Sequence, residues 1–243
     1  MESLLSRNSQ GWQLGISTNT YSIVGRCART GMLGVAVTTS DLAVGSRCPH
    51  VAPMVGAITT QASTDPRLGD FALRLLSLGY APQAALDEIA RSDPYIERRQ
   101  IAIIDGDGRT AGRTGAMNGP WAGHQHGDNY VALGNGLVGE SVVKAIASGF
   151  EASIDSDLEI RLMTALESGL EAGGEVSDMT PFHSAALLVY GTDAFPRIDL
   201  RVDEHSHAVG ELSRILDLYR DRLEYFLLRP KNPDAARNLS DAT

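Results

Sequence analysis

The chain has 243 residues, 43% of them apolar and 21% charged, and its 30 Asp and Glu against 21 Lys and Arg give a formal net charge of −9 at pH 7. This length and apolar content suit one folded domain with a substantial core and exclude intrinsic disorder of the whole chain. The acidic excess argues against a general nucleic-acid or anionic-membrane binder, because both need a basic surface. We therefore expect neither nucleic acid nor a membrane as a partner.

Signals for export, membrane insertion and cross-linking are not apparent in the sequence. No apolar run approaches the roughly 20 residues that span a bilayer. The N-terminal segment lacks both the basic and the apolar region of a signal peptide. The two cysteines, Cys27 and Cys48, form neither a disulfide framework nor a CxxC metal motif. These features predict a cytoplasmic protein that needs no cofactor and no metal.

The hydrophobic pattern divides the chain into an extension, a folded domain and a tail. Residues 1–19 show no sustained period and are expected to form an N-terminal extension or propeptide-like segment, whereas 229–243 read as a loose polar tail. Between them, the domain over 20–228 is predicted to contain strands at 21–27, 33–39, 56–62, 101–104, 109–114, 129–133, 184–190 and 197–202, and helices at 67–78, 82–92, 140–152, 157–172 and 209–228.

The order of these elements predicts the fold class. Strands arrive mostly as hairpins, and helices come in pairs between the hairpins. This order does not alternate as a doubly wound βαβ fold does. It favours an α+β sandwich of antiparallel sheets with helix pairs on the outer faces. Sandwich edges of this kind often pair, so we also expect a homo-oligomer.

Thr20 stands where the extension meets the first predicted strand. The β-propensity of threonine is enough to explain it there. The alternative is catalytic: if the chain is cut between Asn19 and Thr20, the new α-amine has a pKa of about 8 and can act as general base for the threonine hydroxyl. Such a site also needs an oxyanion hole, built from backbone N–H groups or an Asn or Gln side chain.

Short motifs between residue 20 and about residue 220 are shared with one known family. They comprise Thr20–Arg26, 34–37, 43–46, 60–62, Gly69, 99–100, Asp105 with Gly108, 114–115, 121–124, 134–135 with Gly139, 184–189 and 199–203. Together they resemble the DUF1028 family of the N-terminal-nucleophile (Ntn) hydrolase superfamily. The resemblance implies a four-layer αββα sandwich and hydrolysis of an amide-type bond of a small-molecule substrate.

The resemblance also implies that Thr20 is the nucleophile. Many family members carry the matching threonine directly after the initiator Met, whereas this chain has Asn19 at that position, preceded by further residues. Either the chain is processed between Asn19 and Thr20, or the nucleophile does not lie at a terminus.

Two amide side chains are candidates for the oxyanion hole. Gln61 lies within an otherwise apolar strand, and a buried amide must be hydrogen-bonded, so it either holds a loop or donates to a substrate oxyanion. Asn135 ends a strand shortly before a helix, a position that suits oxyanion or substrate binding but also an ordinary turn.

Six further polar residues are candidates for substrate binding, each with a plain structural alternative. They are Ser22, on the same side of the strand as Thr20; Ser40 and Asp41, which close the second strand; His50, in a predicted loop; Asp65, a plausible helix N-cap; and Arg67, which can either meet a substrate carboxylate or remain solvated.

Two histidine clusters raise a metal-dependent alternative. His124 and His126 precede Asp128, and Asp203 precedes His205 and His207, but neither cluster has a full ligand set at a diagnostic spacing. Glycines around the first cluster favour a loop.

Three functions therefore stay open. The first is an Ntn-type amidohydrolase, the second is a non-catalytic protein of the same fold that binds a small metabolite, and the third is a metal-dependent hydrolase.

Overall fold

The computed structural model describes residues 19–119, 121–174 and 183–240. In chain order the strands are β1 (Thr20–Arg26), β2 (Leu33–Thr39), β3 (Pro49–Ala52), β4 (Gly56–Ala62), β5 (Arg99–Asp105), β6 (Thr110–Thr114), β7 (Ala122–Gly127), β8 (Tyr130–Asn135), β9 (Ser184–Tyr190) and β10 (Ile198–Val202). The α-helices are α1 (Pro66–Ser77), α2 (Pro82–Ser92), α3 (Glu140–Ala152), α4 (Leu158–Glu171), α5 (Ala208–Arg220), α6 (Leu223–Leu228) and α7 (Pro233–Ser240). The expected extension lies outside these ranges except for Asn19.

The strands form two antiparallel sheets. One has six strands in the order β10-β9-β2-β1-β8-β7, and the other has four in the order β3-β4-β5-β6. Helices α1 and α2 pack on the outer face of the four-stranded sheet, and α3, α4 and α5 pack on the outer face of the six-stranded sheet. The described part of the chain is thus an αββα sandwich, and the predicted fold class is confirmed.

Residue alternation along β1 assigns its two faces to different layers. Tyr21 and Ile23 belong to the core under α3 and α4, whereas Val24 belongs to a smaller core between the two sheets. Because side chains alternate along a strand, Thr20 and Ser22 share the inner face with Val24. The inner layer is apolar around Val24 and polar toward the start of β1, and this polar end contains the candidate site.

The β1–β2 hairpin places the end of β2 beside the start of β1. Thr20 pairs with Thr39 and Arg26 with Leu33, so Ser40 and Asp41 follow directly beside the start of β1. On its other side β1 pairs with β8, which places Thr20 opposite Asn135. Thr20, Thr39 and Asn135, which lie on three neighbouring strands, therefore meet at one end of the six-stranded sheet.

Two strands were not predicted. β3 has four half-buried residues and begins at a proline, which is compatible with an edge strand but leaves little hydrophobic pattern. β7 (AGHQHG) was interpreted as a loop because of its glycines, and this was wrong: pairing with β8 makes it a strand despite low intrinsic propensity.

The C-terminal region also differs from the prediction. The single helix expected over 209–228 is interrupted at Asp221 and Arg222, where no glycine or proline marks the break. The tail, expected to be loose, contains α7, which contacts α6. No helix in the described ranges is long and apolar enough to cross a membrane.

Candidate active site

A small polar cavity opens where β1 begins, at the end of the layer between the sheets. Its volume is about 180 Å³. It is lined by Thr20, Thr39, Asp41, Val44, Arg47, Cys48, Ala62 and Thr64. The lining comes from both sheets and from the segment that joins β2 to β3.

A larger cavity, of about 490 Å³, lies beside α5 and α6. Its lining residues are Arg197, Arg220, Leu223, Glu224, Leu227 and Leu228. No serine, threonine, cysteine or histidine lines it, so we place the candidate active site at the smaller cavity.

The Thr20 hydroxyl belongs to a directed hydrogen-bond chain. Its Oγ1 lies 2.8 Å from Oγ1 of Thr39, and Thr39 Oγ1 donates to the Asn19 carbonyl oxygen at 3.0 Å. A hydroxyl has one proton to donate. Because the Thr39 proton goes to Asn19, the Thr20 hydroxyl donates its own proton to Thr39. The Thr20 side chain is only 4% exposed, which shields this chain from solvent.

The peptide bond before Thr20 is held by Ser40. The Ser40 backbone N–H donates to the Asn19 carbonyl oxygen at 3.0 Å, and the Asn19 N–H donates to Ser40 Oγ at 3.1 Å. The Asn19 carbonyl oxygen therefore receives two hydrogen bonds, one from Ser40 and one from Thr39. Two donors converging on one carbonyl oxygen is the arrangement that stabilises developing negative charge on that oxygen.

The segment from Asp41 to Cys48, here called the wall segment, forms one side of the cavity. Ser184, at the start of β9, fixes its fold: Ser184 Oγ donates to the Asp41 carbonyl oxygen at 2.7 Å and accepts from the Val44 N–H at 2.9 Å. Ala43 within the segment has φ 51°, and Ala62 across the cavity has φ 67°. This left-handed backbone is costly for alanine, so the surrounding contacts must hold it.

Arg47 supplies the positive charge of the cavity. Its Nη2 donates to the Leu42 carbonyl oxygen and lies 3.9 Å from Oδ2 of Asp41. The neighbouring Cys48 thiol is buried, and this burial raises its pKa to about 11, so the thiol is neutral near pH 7. Arg47 and Asp41 are therefore the charged groups among the lining residues that the structure describes.

Gln61 and Ser22 lie in a buried network rather than at the cavity. Ser22 Oγ donates to Gln61 Oε1 at 2.6 Å, and Gln61 Nε2 donates to Gln100 Oε1 at 2.8 Å. Asn135 Nδ2 donates to the same Gln100 oxygen at 3.0 Å. Gln61 and Gln100 are fully buried, and their amides connect the two sheets. Gln61 thus bonds to side chains on two strands, β1 and β5, and not to a loop.

His50, Asp65 and Arg67 contact groups outside the cavity. His50 lies on β3, not in a loop, with its ring over Gly69 and its Nδ1 3.2 Å from Asp70. Asp65 caps α1 by accepting from the Arg67 N–H, and the exposed Arg67 guanidinium bonds both oxygens of Asp65. None of the three lines the cavity, because β3 and α1 direct them to the other side of the four-stranded sheet or to solvent.

The two histidines of β7 join the edges of the two sheets. His124 Nδ1 lies 2.9 Å from Thr114 Oγ1, and His126 Nδ1 lies 2.9 Å from Thr110 Oγ1. Burial lowers the pKa of both histidines, and His126 adds to the lowering at His124. Within the described ranges, no group of three or more His, Cys, Asp or Glu side chains is arranged to hold a metal ion.

Sequence reasoning missed four residues that shape the site: Thr39, Arg47, Gln100 and Ser184. Arg47 lies in the connection between two predicted strands and Ser184 begins a predicted strand, but no local pattern distinguishes them from ordinary loop and strand residues. Gln100 had a usable signal, since it is an amide in an apolar strand, as Gln61 is.

Comparison with known proteins identifies the family. Residues 20–212 match a family described as "Family of unknown function (DUF1028)". The crystal structure of protein SPO2555 from Silicibacter pomeroyi, described with the same family, is 30% identical, with a TM-score of 0.75 over 83% of this chain and 89% of that one.

A second solved structure is more distant. Anbu (ancestral beta-subunit) from Yersinia bercovieri is 12% identical over 86% of this chain and 97% of that one, with a TM-score of 0.40, too low to assign a fold. No curated protein matches this chain. The family match spans most of the chain, and on that basis the chain belongs to the DUF1028 family.

Proposed function

We propose that this protein is an Ntn-type amidohydrolase, which cleaves an amide C–N bond of a small metabolite with Thr20 as nucleophile. The observation that carries the proposal is the hydrogen-bond chain from the Thr20 hydroxyl through Thr39 to a carbonyl oxygen that Ser40 also holds. It supports the proposal because the Thr20 hydroxyl and two hydrogen-bond donors that share one carbonyl oxygen lie together at the start of β1, beside the polar cavity.

The proposal requires a cut between Asn19 and Thr20. In the continuous chain the nitrogen of Thr20 is a peptide nitrogen and cannot act as a base. The Asn19 carbonyl, polarised by Ser40 and Thr39, is suited to attack by the adjacent Thr20 hydroxyl. That attack forms a C–O ester bond and breaks the Asn19–Thr20 C–N bond, and the freed nitrogen takes up the proton. Water then hydrolyses the ester, releasing the preceding segment and leaving Thr20 with a free α-amine.

Turnover of substrate follows the same geometry. The free amine, whose pKa is about 8, accepts the proton of the Thr20 hydroxyl as Oγ1 attacks the substrate carbonyl. The Ser40 N–H and the Thr39 hydroxyl, released from Asn19, donate to the oxyanion. The protonated amine returns its proton to the leaving nitrogen as the C–N bond breaks, and water hydrolyses the acyl-enzyme. In this account Ser40 and Thr39 replace Gln61 and Asn135 as oxyanion donors, because those amides donate to Gln100.

The test compares Thr20→Val with Thr20→Ser. Valine keeps the shape of threonine and removes the hydroxyl, so we expect no release of ammonia or amine from a panel of small amides, whereas the serine variant retains measurable activity. Thermal unfolding of both variants checks that the fold is intact. Full activity in a folded Thr20→Val protein would overturn the proposal.

A second candidate is a non-catalytic protein that binds a small metabolite in the same cavity. Asn19 extends the β1–β2 pairing through its two contacts with Ser40, which suits a chain that keeps its first 19 residues. This candidate predicts saturable ligand binding that survives Thr20→Val, in a protein whose wild type hydrolyses none of the amides.

A further inference from the structure

The size of the cavity restricts its ligand. A volume of about 180 Å³ equals the share of roughly six water molecules at about 30 Å³ each. Pockets that bury drug-sized ligands have volumes of about 300–1,000 Å³, so this cavity suits a small molecule. Thr20, Thr39 and Thr64 are among its lining residues, which favours a polar ligand over a hydrocarbon one.

The cavity also contains an incompletely paired cation. The Arg47 side chain is 39% exposed, and its nearest carboxylate oxygen, on Asp41, is 3.9 Å away, beyond hydrogen-bond distance. Asp41 in turn uses Oδ1 to accept from the Leu42 N–H at 2.7 Å, and its side chain is 56% exposed. Arg47 therefore has guanidinium capacity left for a second, closer acceptor.

We propose that the substrate is a small amide that carries a carboxylate, and that Arg47 binds this carboxylate. The inference rests on the proposed function, since it places the amide of the same molecule at Thr20. A planar guanidinium matches a carboxylate in a bidentate, charge-assisted pair. Such a pair orients the ligand in a cavity too small to hold it in several ways.

Arg47 and Arg67 offer a contrast within one chain. Arg67, the arginine that the sequence suggested for this role, uses Nε and Nη2 on both oxygens of Asp65, outside the cavity. Its pairing is already complete. Arg47 donates to the Leu42 carbonyl oxygen, has only a looser contact with the Asp41 carboxylate, and lines the cavity with Thr20. Arg67 is therefore a matched control for substitutions at Arg47.

The experiment measures binding and not turnover. The probes are N-acetylglycine and N-acetylglycinamide, which have the same shape and number of heavy atoms but differ in the carboxylate. The protein is the chain that begins at residue 20, as the proposed cut leaves it, with Thr20→Val. It cannot form an acyl-enzyme and has no Asn19 carbonyl on the Ser40 and Thr39 donors, and binding is measured by calorimetry. We expect N-acetylglycine to bind about tenfold or more tightly than N-acetylglycinamide. Arg47→Gln should remove the difference, Arg47→Lys should reduce it, and Arg67→Gln should leave it unchanged.

Four outcomes would overturn the inference. The two probes could bind equally, the neutral probe could bind more tightly, or neither could bind. The fourth is a preference for N-acetylglycine that persists in folded Arg47→Gln. Failure of the proposed function gives a different pattern, because the probe preference would then hold while wild-type protein hydrolyses no amide. Amide hydrolysis without a carboxylate preference would reject only the substrate class.

Discussion

Thr39 determines which hydroxyl donates in the hydrogen bond between Thr20 and Thr39. It donates to the Asn19 carbonyl oxygen, so it must accept from Thr20. In the continuous chain the Thr20 hydroxyl therefore directs its proton to Thr39. The antiparallel register of β1 and β2 sets this contact, since it places the two threonines directly opposite each other.

The first prediction concerns this hydroxyl. Thr39→Val should lower kcat about 100-fold, the scale of a lost oxyanion donor. Thr39→Ser keeps the hydroxyl and should retain most of the activity. Steady-state kinetics on the best amide of the panel measures both variants. Equal activity of folded Thr39→Val and wild type would exclude a role for Thr39.

At this scale the sequence predicted some site residues and not others. Thr20, Ser40 and Asp41 were predicted together because hairpin pairing is a local property that the turn and strand lengths determine. Arg47 was not, because its place in the cavity depends on where the wall segment folds. Ser184 fixes that segment from a strand more than 130 residues away in sequence.

Among the elements, the wall segment depends on a close approach to β9 and β10. A Cβ on Gly45 would lie 2.5 Å from Cδ of Arg201 and 2.8 Å from Cβ of Ala186. Only glycine lets the segment lie this close to the sheet without displacing it.

The second prediction follows from this contact. Gly45→Ala should shift the wall segment, weaken N-acetylglycine binding at least severalfold, and lower the free energy of unfolding by about 1–3 kcal/mol. Gly210→Ala, on α5 with open space around its Cα, is the control and should be neutral or slightly stabilising. Calorimetry and urea unfolding measure the two effects. Unchanged binding in Gly45→Ala would show that the wall segment does not shape the cavity.

The third prediction concerns the edge where β7 meets β6. Burial lowers the pKa of His124 and His126 in the folded protein, so the unfolded chain takes up protons at a higher pH, near the ordinary histidine value of about 6.5. The two uncharged histidines therefore stabilise the folded protein fully above the pKa of the unfolded chain. This stabilisation is lost as the pH falls toward the lowered pKa values of the folded protein.

A double variant isolates this effect from other titrating groups. His124→Gln with His126→Gln should show a smaller loss of stability between about pH 7 and pH 5 than wild type. Urea unfolding across that range is the measurement. If the free energy of unfolding has the same pH dependence in the variant and the wild type, the two histidines do not contribute to that dependence.

For the molecule as a whole, Gln100 links the two sheets near the candidate site. Its Oε1 accepts from Gln61 and Asn135, and its Nε2 lies 2.8 Å from the Gly134 carbonyl oxygen. The six-stranded and four-stranded sheets are thus joined by amide hydrogen bonds at the polar end of an otherwise apolar layer.

The fourth prediction is a loss of stability when this link is removed. Gln100→Leu orphans several fully buried polar groups, each costing about 1–3 kcal/mol, so the free energy of unfolding should fall by about 3–5 kcal/mol. Gln83→Leu, which removes only an exposed contact with Asp87, should change it by less than about 0.5 kcal/mol. A small effect of Gln100→Leu in urea unfolding would contradict the assigned role.

The sandwich was predictable from hairpins and helix pairs, because hydrophobic period and turn residues are local signals. β3 and β7 were missed because their strand character comes from pairing with neighbours. The break between α5 and α6 was missed because it lacks a glycine or proline. At the site, the sequence suggested Thr20 as the proposed nucleophile, but the places of Arg47 and of the proposed oxyanion donors depend on contacts between separate segments.

The most direct test of the central claim is the intact mass of the purified, untagged protein, followed by N-terminal sequencing. We expect the wild-type chain to begin at Thr20 and the Thr20→Val variant to retain the preceding residues, because the attacking hydroxyl is gone. A wild-type preparation that hydrolyses amides while still carrying residues before Thr20 would contradict the account, because its catalytic base would not exist.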